Sequence, residues 1–455
     1  SRAVQTSAAV AEAKDLSAGT EFTVSVNDDC SNPGKISSNV FSQNAAASHL
    51  AASKAPARMG IAAYTWRLPV AMTIEELNEL ADADQCVHGI SESTVATLQA
   101  SDPLRANQAH VKMLGLDLIA LPKNMSRRVV IAIVDSGIDL QHEDLRNVLW
   151  KNSKEIAGND LDDDQNGYVD DVYGYNFASR IGSPAHQGTW LGNFHGTHVA
   201  GLAAAQSGNG RGVTGAALSN ASIMALNVFG PTSGAYSANI ANAIRYAADN
   251  GADVINLSLG GQGRNAAYES AVAYALAKGA TVLAAAGNDA RPVSESYFMA
   301  PAAYARGLAG MISVGSIDSS TSKLSTFSNH GSNYVELAAP GSENSVSGFG
   351  LLSTIPGNKY DRLEGTSMAS PVAAGSAALA ITLLRSRGFE PSPATIEALM
   401  EVSSKRISAL QEKIRDGRVL NLKNLADFVE NAYPEKGHGE DPGVPGFDPC
   451  AVGGN

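Results

Sequence analysis

Four apolar runs rich in β-branched residues, at residues 129–134, 221–229, 253–257 and 281–286, are separated by glycine turns and by stretches of small residues that read as helix. A run without a polar side has to be covered on both faces, which is the situation of a strand inside a parallel sheet layered between helices. The regular alternation therefore predicts an α/β fold, a doubly wound parallel sheet flanked by helices. With 44% hydrophobic and 17% charged residues the chain has ample material for a large core and does not resemble a sequence that stays unfolded. Open sheets of this kind place their ligands at the carboxyl ends of the strands, so the residues that follow each run are the candidates for function.

The first run ends at Asp135 in DSGID, a carboxylate at a strand end. Further on, HGTHVAG opens a small-residue helix with His195, and GTSMASP opens another with Ser367. A serine at a helix N-terminus sits beside unpaired backbone N–H groups and a partial positive charge, both of which favour an oxyanion. Pro371 fits a helix start, where its missing donor is expected to leave nothing unpaired. Taken singly, Ser367 reads as a helix cap. Together, Asp, His and Ser in this order are the parts of a nucleophilic acyl-transfer site.

The three segments resemble those of the subtilisin-like serine proteases, the subtilases, whose chain order is the same. The resemblance runs from about Asp102 to about Tyr433. It implies Ser367 as nucleophile, His195 as general base and then acid, and Asp135 as the group that orients the imidazole. Residues 284–289, AAAGND, resemble the family's AAGN motif and imply that Asn288 donates to the developing oxyanion, against the plainer reading of a turn asparagine. Two further segments are similar to the family's peptide-binding walls: residues 230–236, with Ser233, Gly234 and Tyr236, and the tetrapeptide Ser258, Leu259, Gly260 and Gly261. A polypeptide substrate would lie between them as an added strand. Ala300-Pro301 looks like the family's cis-proline segment. Glu364 and Val372 depart from the pattern, standing where many relatives have asparagine and histidine.

Two calcium sites are expected. By the resemblance Asp144 binds a structural Ca²⁺, with Asn209 and carbonyls of residues 206–214 as partners and Gln108 as a further ligand; His142 is expected at the surface. The second follows from the residues themselves. In NDLDDDQNGYVDDVYG, Asp162, Asp164 and Asn166 alternate before a glycine, and Tyr168, Asp170 and Asp171 complete a set like the first half of an EF-hand loop. It lacks the glutamate at the twelfth position, where Tyr173 stands. The competing reading is a solvated acidic turn. His195 and His198 lie one helical turn apart, but a zinc protease of that kind would need an HExxH glutamate that is absent here. His198 is expected to be structural.

The expected domains are a low-complexity segment (1–20), a small α+β ferredoxin-like unit (21–98), the subtilisin-like domain (99–433) and a Gly/Pro-rich tail (434–455). The ferredoxin-like reading rests on strands near 22–26, 61–70 and 86–90 and helices near 45–54 and 73–83. By position and element order this unit is similar to the family's propeptide, which implies a prodomain lying in the active-site groove through residues 93–99 and cut after Leu98. A net charge of −12 argues against nucleic acid or an anionic membrane as the main partner, and no apolar run reaches the roughly 18 residues of a membrane span. The chain opens at Ser1 rather than methionine, as after removal of a secretory leader, so a secreted protein, extracellular or periplasmic, is expected. A Cys30–Cys86 disulfide would suit that compartment and leave Cys450 unpaired, and three free thiols are the competing reading. The alternative to a secreted proenzyme is a protease-like binding protein whose groove the N-terminal unit blocks permanently.

Overall fold

The computed structural model describes residues 21–27, 61–67 and 87–92, and residues 102–434 apart from 123–126, 187–193, 231–233 and 346–347. The expected helices near 45–54 and 73–83, the segment 93–99 with its cut, the tail, all three cysteines and Ser233 lie outside these residues. The chain divides into two units, Ser1–Leu98 and Gln99–Asn455. In the first, β1 (Glu21–Asn27), β2 (Ile61–Arg67) and β3 (Val87–Glu92) form an antiparallel sheet in the order β2–β1–β3, with a bulge between Ser25 and Val26.

The second unit begins with a short helix, α1 (Ala109–Leu114), and then alternates: β4 (Val129–Asp135), β5 (Gly174–Asn176), α2 (His195–Ala204), β6 (Ala221–Asn227), α3 (Ser237–Asp249), β7 (Val254–Leu257), α4 (Ala266–Ala277), β8 (Thr281–Ala285), β9 (Met311–Asp318) and β10 (Leu337–Ser342). A hairpin of β11 (Leu351–Ile355) and β12 (Lys359–Leu363) leads into α5 (Thr366–Ser386). The chain closes with α6 (Pro393–Val402), β13 (Lys405–Arg406), β14 (Arg418–Val419) and α7 (Leu422–Ala432). The main sheet has the order β13–β14–β10–β9–β8–β7–β4–β6–β5, and every pairing is parallel except β13 with β14.

β4 shows why the sequence folds this way. All seven of its residues are buried; Val129, Ile131 and Ile133 join one core, while Val130, Ala132 and Val134 join the core on the opposite face. The first core is filled by α2 and α5, the second by α3 and α4. From β4 the strand order runs outward through β6 on one side and β7 on the other, so its carboxyl end is the switch point where such sheets bind ligands. Against expectation one segment does have the length and composition of a membrane span: α5, with mean hydropathy 1.5 over 18 residues. Of that window 94% is buried, because α5 is the central core helix, packed against the sheet and α2.

Candidate active site

β4 delivers Asp135 to the switch point with its side chain 1% exposed. Its Oδ1 accepts the Ser136 N–H at 2.7 Å, and its two oxygens lie 2.8 and 3.0 Å from Nδ1 of His195. His195 is the first residue of α2, and the start of that helix is drawn against the turn after β4 by Gly196 N–H donating to Ser136 Oγ at 3.0 Å. A Cβ at Gly196 would stand 2.4 Å from the Gly137 carbonyl, so glycine is needed for the approach. Burial alone would lower the His195 pKa, but the Asp135 charge and its hydrogen bond outweigh it and hold the imidazole above its ordinary value.

Ser367 is the second residue of α5. α2 and α5 both start at the carboxyl edge of the sheet, and they touch backbone to backbone. A Cβ on Gly375 would lie 2.4 Å from the carbonyl of Ala203, and these residues stand eight positions beyond Ser367 and His195 respectively. Ser367 Oγ donates to the carbonyl of Ser258 at 3.2 Å, and among the described residues no hydrogen bond joins it to His195. Such bonds are commonly loose before substrate arrives.

Beside the serine, the Thr366 N–H and hydroxyl donate to Asn288 Oδ1 at 2.9 and 2.8 Å, and Thr366 Oγ1 accepts the Gly287 N–H at 3.1 Å. These bonds turn the Asn288 amide nitrogen outward. A point where a Cβ of Gly365 would sit lies 3.3 Å from Asn288 Nδ2 and 3.5 Å from the Ser367 nitrogen. Two donors therefore converge on a space that the missing side chain leaves open. A cavity of about 460 Å³ is lined by Leu259, Gly260, Gly261, Gly287, Asn288 and Met299, with Ser367 at its edge. Gly234 and the 80% exposed Tyr236 lie outside its lining, and Ser258, buried, bonds to Ser367 rather than to the cavity. The Ala300-Pro301 bond is cis.

Residues 126–427 match the model of the subtilase family, two thirds of the chain. The chain belongs to the subtilase family. Over 290 residues this subtilase is 39% identical to thermitase of Thermoactinomyces vulgaris, covering 64% of this chain and 85% of thermitase. It is 37% identical over 289 residues to a thermophilic serine proteinase of Bacillus sp. (strain AK1), covering 64% of this chain but 59% of that protein. A solved structure of a protease from Pseudoalteromonas arctica superposes with TM-score 0.55 at 26% identity, covering 72% of this chain and 99% of that one.

The two expected calcium positions of this subtilase differ in how well they suit a cation. At the first, Asp144, Asn209 and Gln108 cluster around the loop 206–214 and hydrogen-bond to it. Asp144 accepts from Asn209 Nδ2 (2.8 Å) and the Val213 N–H (2.9 Å), while Asn209 Oδ1 accepts the Arg211 N–H and Gln108 Oε1 the Thr214 N–H. Each of these side-chain oxygens accepts a protein donor, and the carbonyl oxygens of the loop are the further ligands expected at this position. His142, expected at the surface, is a correction. It is fully buried, with Nδ1 accepting the Asp144 N–H and Nε2 donating to the Lys359 carbonyl. His198 is buried as well, donates from Nε2 to the Leu351 carbonyl at 3.0 Å, and is kept neutral by burial, its pKa lowered to about 3.

In the acidic loop the expected ligands divide. Asp162 accepts the N–H groups of Asn166 and Gly167, Asn166 Oδ1 accepts that of Tyr168, and Asp170 accepts those of Gly158, Asn159 and Asp160. These close the loop on itself, and the Tyr168 ring packs edge-on against Tyr175, Phe177 and Tyr246. The carboxylates that converge are Asp164, Asp171 and Glu155, a residue the loop pattern does not include, with oxygens within 4.8 Å of one another. Glu155 is 6% exposed, and its buried Oε2 has no hydrogen-bond partner. Its pKa is raised by burial first, which the Asp164 and Asp163 N–H groups oppose, while the Asp171 and Asp163 charges add to it. Three crowded carboxylates with an unused buried oxygen suit a hard cation such as Ca²⁺.

Proposed function

We propose that this subtilase is a serine endopeptidase acting through Asp135, His195 and Ser367. The observation that carries the proposal is the 2.8 Å contact of His195 Nδ1 with Asp135, on a helix packed against the one whose N-terminus carries Ser367, where two donors face one open space. In this reading Ser367 Oγ attacks the peptide carbonyl carbon and its proton passes to His195 Nε2. Asp135 holds Nδ1–H in place and stabilises the imidazolium, and the oxyanion accepts from Asn288 Nδ2 and the Ser367 N–H. His195 then protonates the leaving amine as the C–N bond breaks, and water repeats the sequence to free the acyl group. The glycine walls at residues 260, 261 and 287 let a substrate backbone come close.

The test is Ser367→Ala. Peptide hydrolysis and labelling by a fluorophosphonate probe are both expected to disappear while the melting temperature stays within about 2 °C; residual cutting by the purified variant would sink the assignment. Removing Asn288 is expected to lower turnover by about 10²–10³, a range taken from the equivalent donor in subtilisin, a relative. We place Ca²⁺ at Glu155, Asp164 and Asp171, where it would offset two of the three negative charges and stiffen the loop. Residues 21–98 act as a prodomain in this reading, and the protein is secreted, as one relative, named an extracellular serine protease of Natrialba magadii, suggests. Mass spectrometry of the active species is expected to find a new N-terminus at Gln99, and an intact chain would point to a permanent accessory unit.

A further inference from the structure

The helix that carries Ser367 lacks one of its own hydrogen bonds. In an α-helix the carbonyl of residue i accepts the N–H of residue i+4. For Ser367 that residue is Pro371, which has no N–H and whose ring crowds the same carbonyl. Because the helix begins at Thr366, Pro371 lies past the first turn, and the absent donor is the one that Ser367 needed.

A side chain supplies it. Ser258, just after β7, donates from Oγ to the Ser367 carbonyl at 2.8 Å. Its hydroxyl is held in turn, since Asn256 Nδ2 donates to Ser258 Oγ at 2.9 Å and Asn256 Oδ1 accepts the Ser370 hydroxyl at 2.7 Å. Asn256 and Ser370 are fully buried and Ser258 is 4% exposed, so the ring is sealed from solvent. A hydroxyl has one proton. With the Asn256 amide donating into the oxygen, the Ser258 proton is left to point at Ser367, and Asn256 thereby directs a bond in which it takes no part.

We infer that Asn256 is a positioning residue for Ser367: through the Ser258 hydroxyl it replaces the helix bond that Pro371 removes. It thus sets the backbone orientation of the residue whose side chain attacks and whose N–H faces the oxyanion. The inference rests on the reading of Ser367 as nucleophile given above.

The test combines Ser258→Ala, Asn256→Ala and Pro371→Ala in the full chain, with a peptide substrate and a fluorophosphonate probe. Ser258→Ala and Asn256→Ala are each expected to lower kcat about tenfold with KM changed by less than about twofold, and to slow probe labelling in step. In the Pro371→Ala background residue 371 regains an N–H for the Ser367 carbonyl, and the same substitutions are expected to lower kcat by no more than about threefold. Equal losses in both backgrounds, or an effect confined to KM, overturn the inference, leaving Ser258 as a pocket wall and Asn256 as core packing. If Asn256→Ala does not fold, Ser258→Ala with and without Pro371→Ala carries the comparison. Failure of the underlying site reading looks different, because the unsubstituted chain would then neither cut peptide nor take up the probe.

Discussion

His195 must be neutral to accept a proton, and its pKa in the folded protein is raised because Asp135 outweighs burial. The acid limb of kcat/KM is therefore expected to have its midpoint above the ordinary imidazole value of about 6.5, with activity lost as pH falls through it. Asp135→Asn removes the charge that raises the pKa, so the midpoint should move down as the maximal rate collapses. A limb at or below the ordinary value in the unsubstituted chain would contradict the Asp135 contact. The four residues proposed for chemistry were legible as motifs, each at or just past a strand or helix end with a glycine within two residues. The ring of Asn256, Ser258 and Ser370 was not, because it depends on where α5 begins, and one turn of difference decides whether the Ser367 carbonyl lies in the helix and needs the donor that Pro371 lacks.

At the level of elements, the strands were readable because burial on both faces writes an uninterrupted apolar run, as β4 shows at every residue. The acidic loop was readable as a whole, but the partners of each carboxylate were not. Carboxylates spaced two apart are as well suited to closing a turn on its own N–H groups as to holding a metal, and Asp162 and Asp170 do the former. Glu155 escaped the pattern because it reaches the cluster from outside the repeat. Chelation is expected to lower the melting temperature by about 5–10 °C, the size expected of a ligand near a hundredfold excess over its Kd. Glu155→Gln should abolish most of that response while folding without added metal. A melting temperature indifferent to chelator in the unsubstituted chain would remove Ca²⁺ from the loop.

Across the whole molecule, stability should carry a pH signature far from the active site. Glu336 is 1% exposed at the amino end of the sheet, accepts the Ser313 N–H and pairs with Arg415 at 2.8 Å. Burial pushes its pKa up to about 8, with Arg415 pulling against it and Glu397 and Glu401 adding to it; Glu397 is likewise raised, to about 7. A carboxyl raised in the folded state binds more protons there than when unfolded. Its contribution is therefore complete below the unfolded pKa of about 4.5 and lost as pH rises through about 8. Glu336→Gln cannot ionise, so its melting temperature relative to the unsubstituted chain should climb between pH 5 and pH 8. A difference that stays constant over that range would show that Arg415 keeps Glu336 charged throughout.

The backbone contact of Gly375 with Ala203 has a consequence for how such a protein can drift. Two rods touching without an intervening side chain cannot be thickened inward, so a single methyl inserted there acts as a wedge, prising imidazole and hydroxyl apart at the far ends. The gap between the reacting atoms is thus gauged deep in the interior, by residues that themselves never meet a peptide.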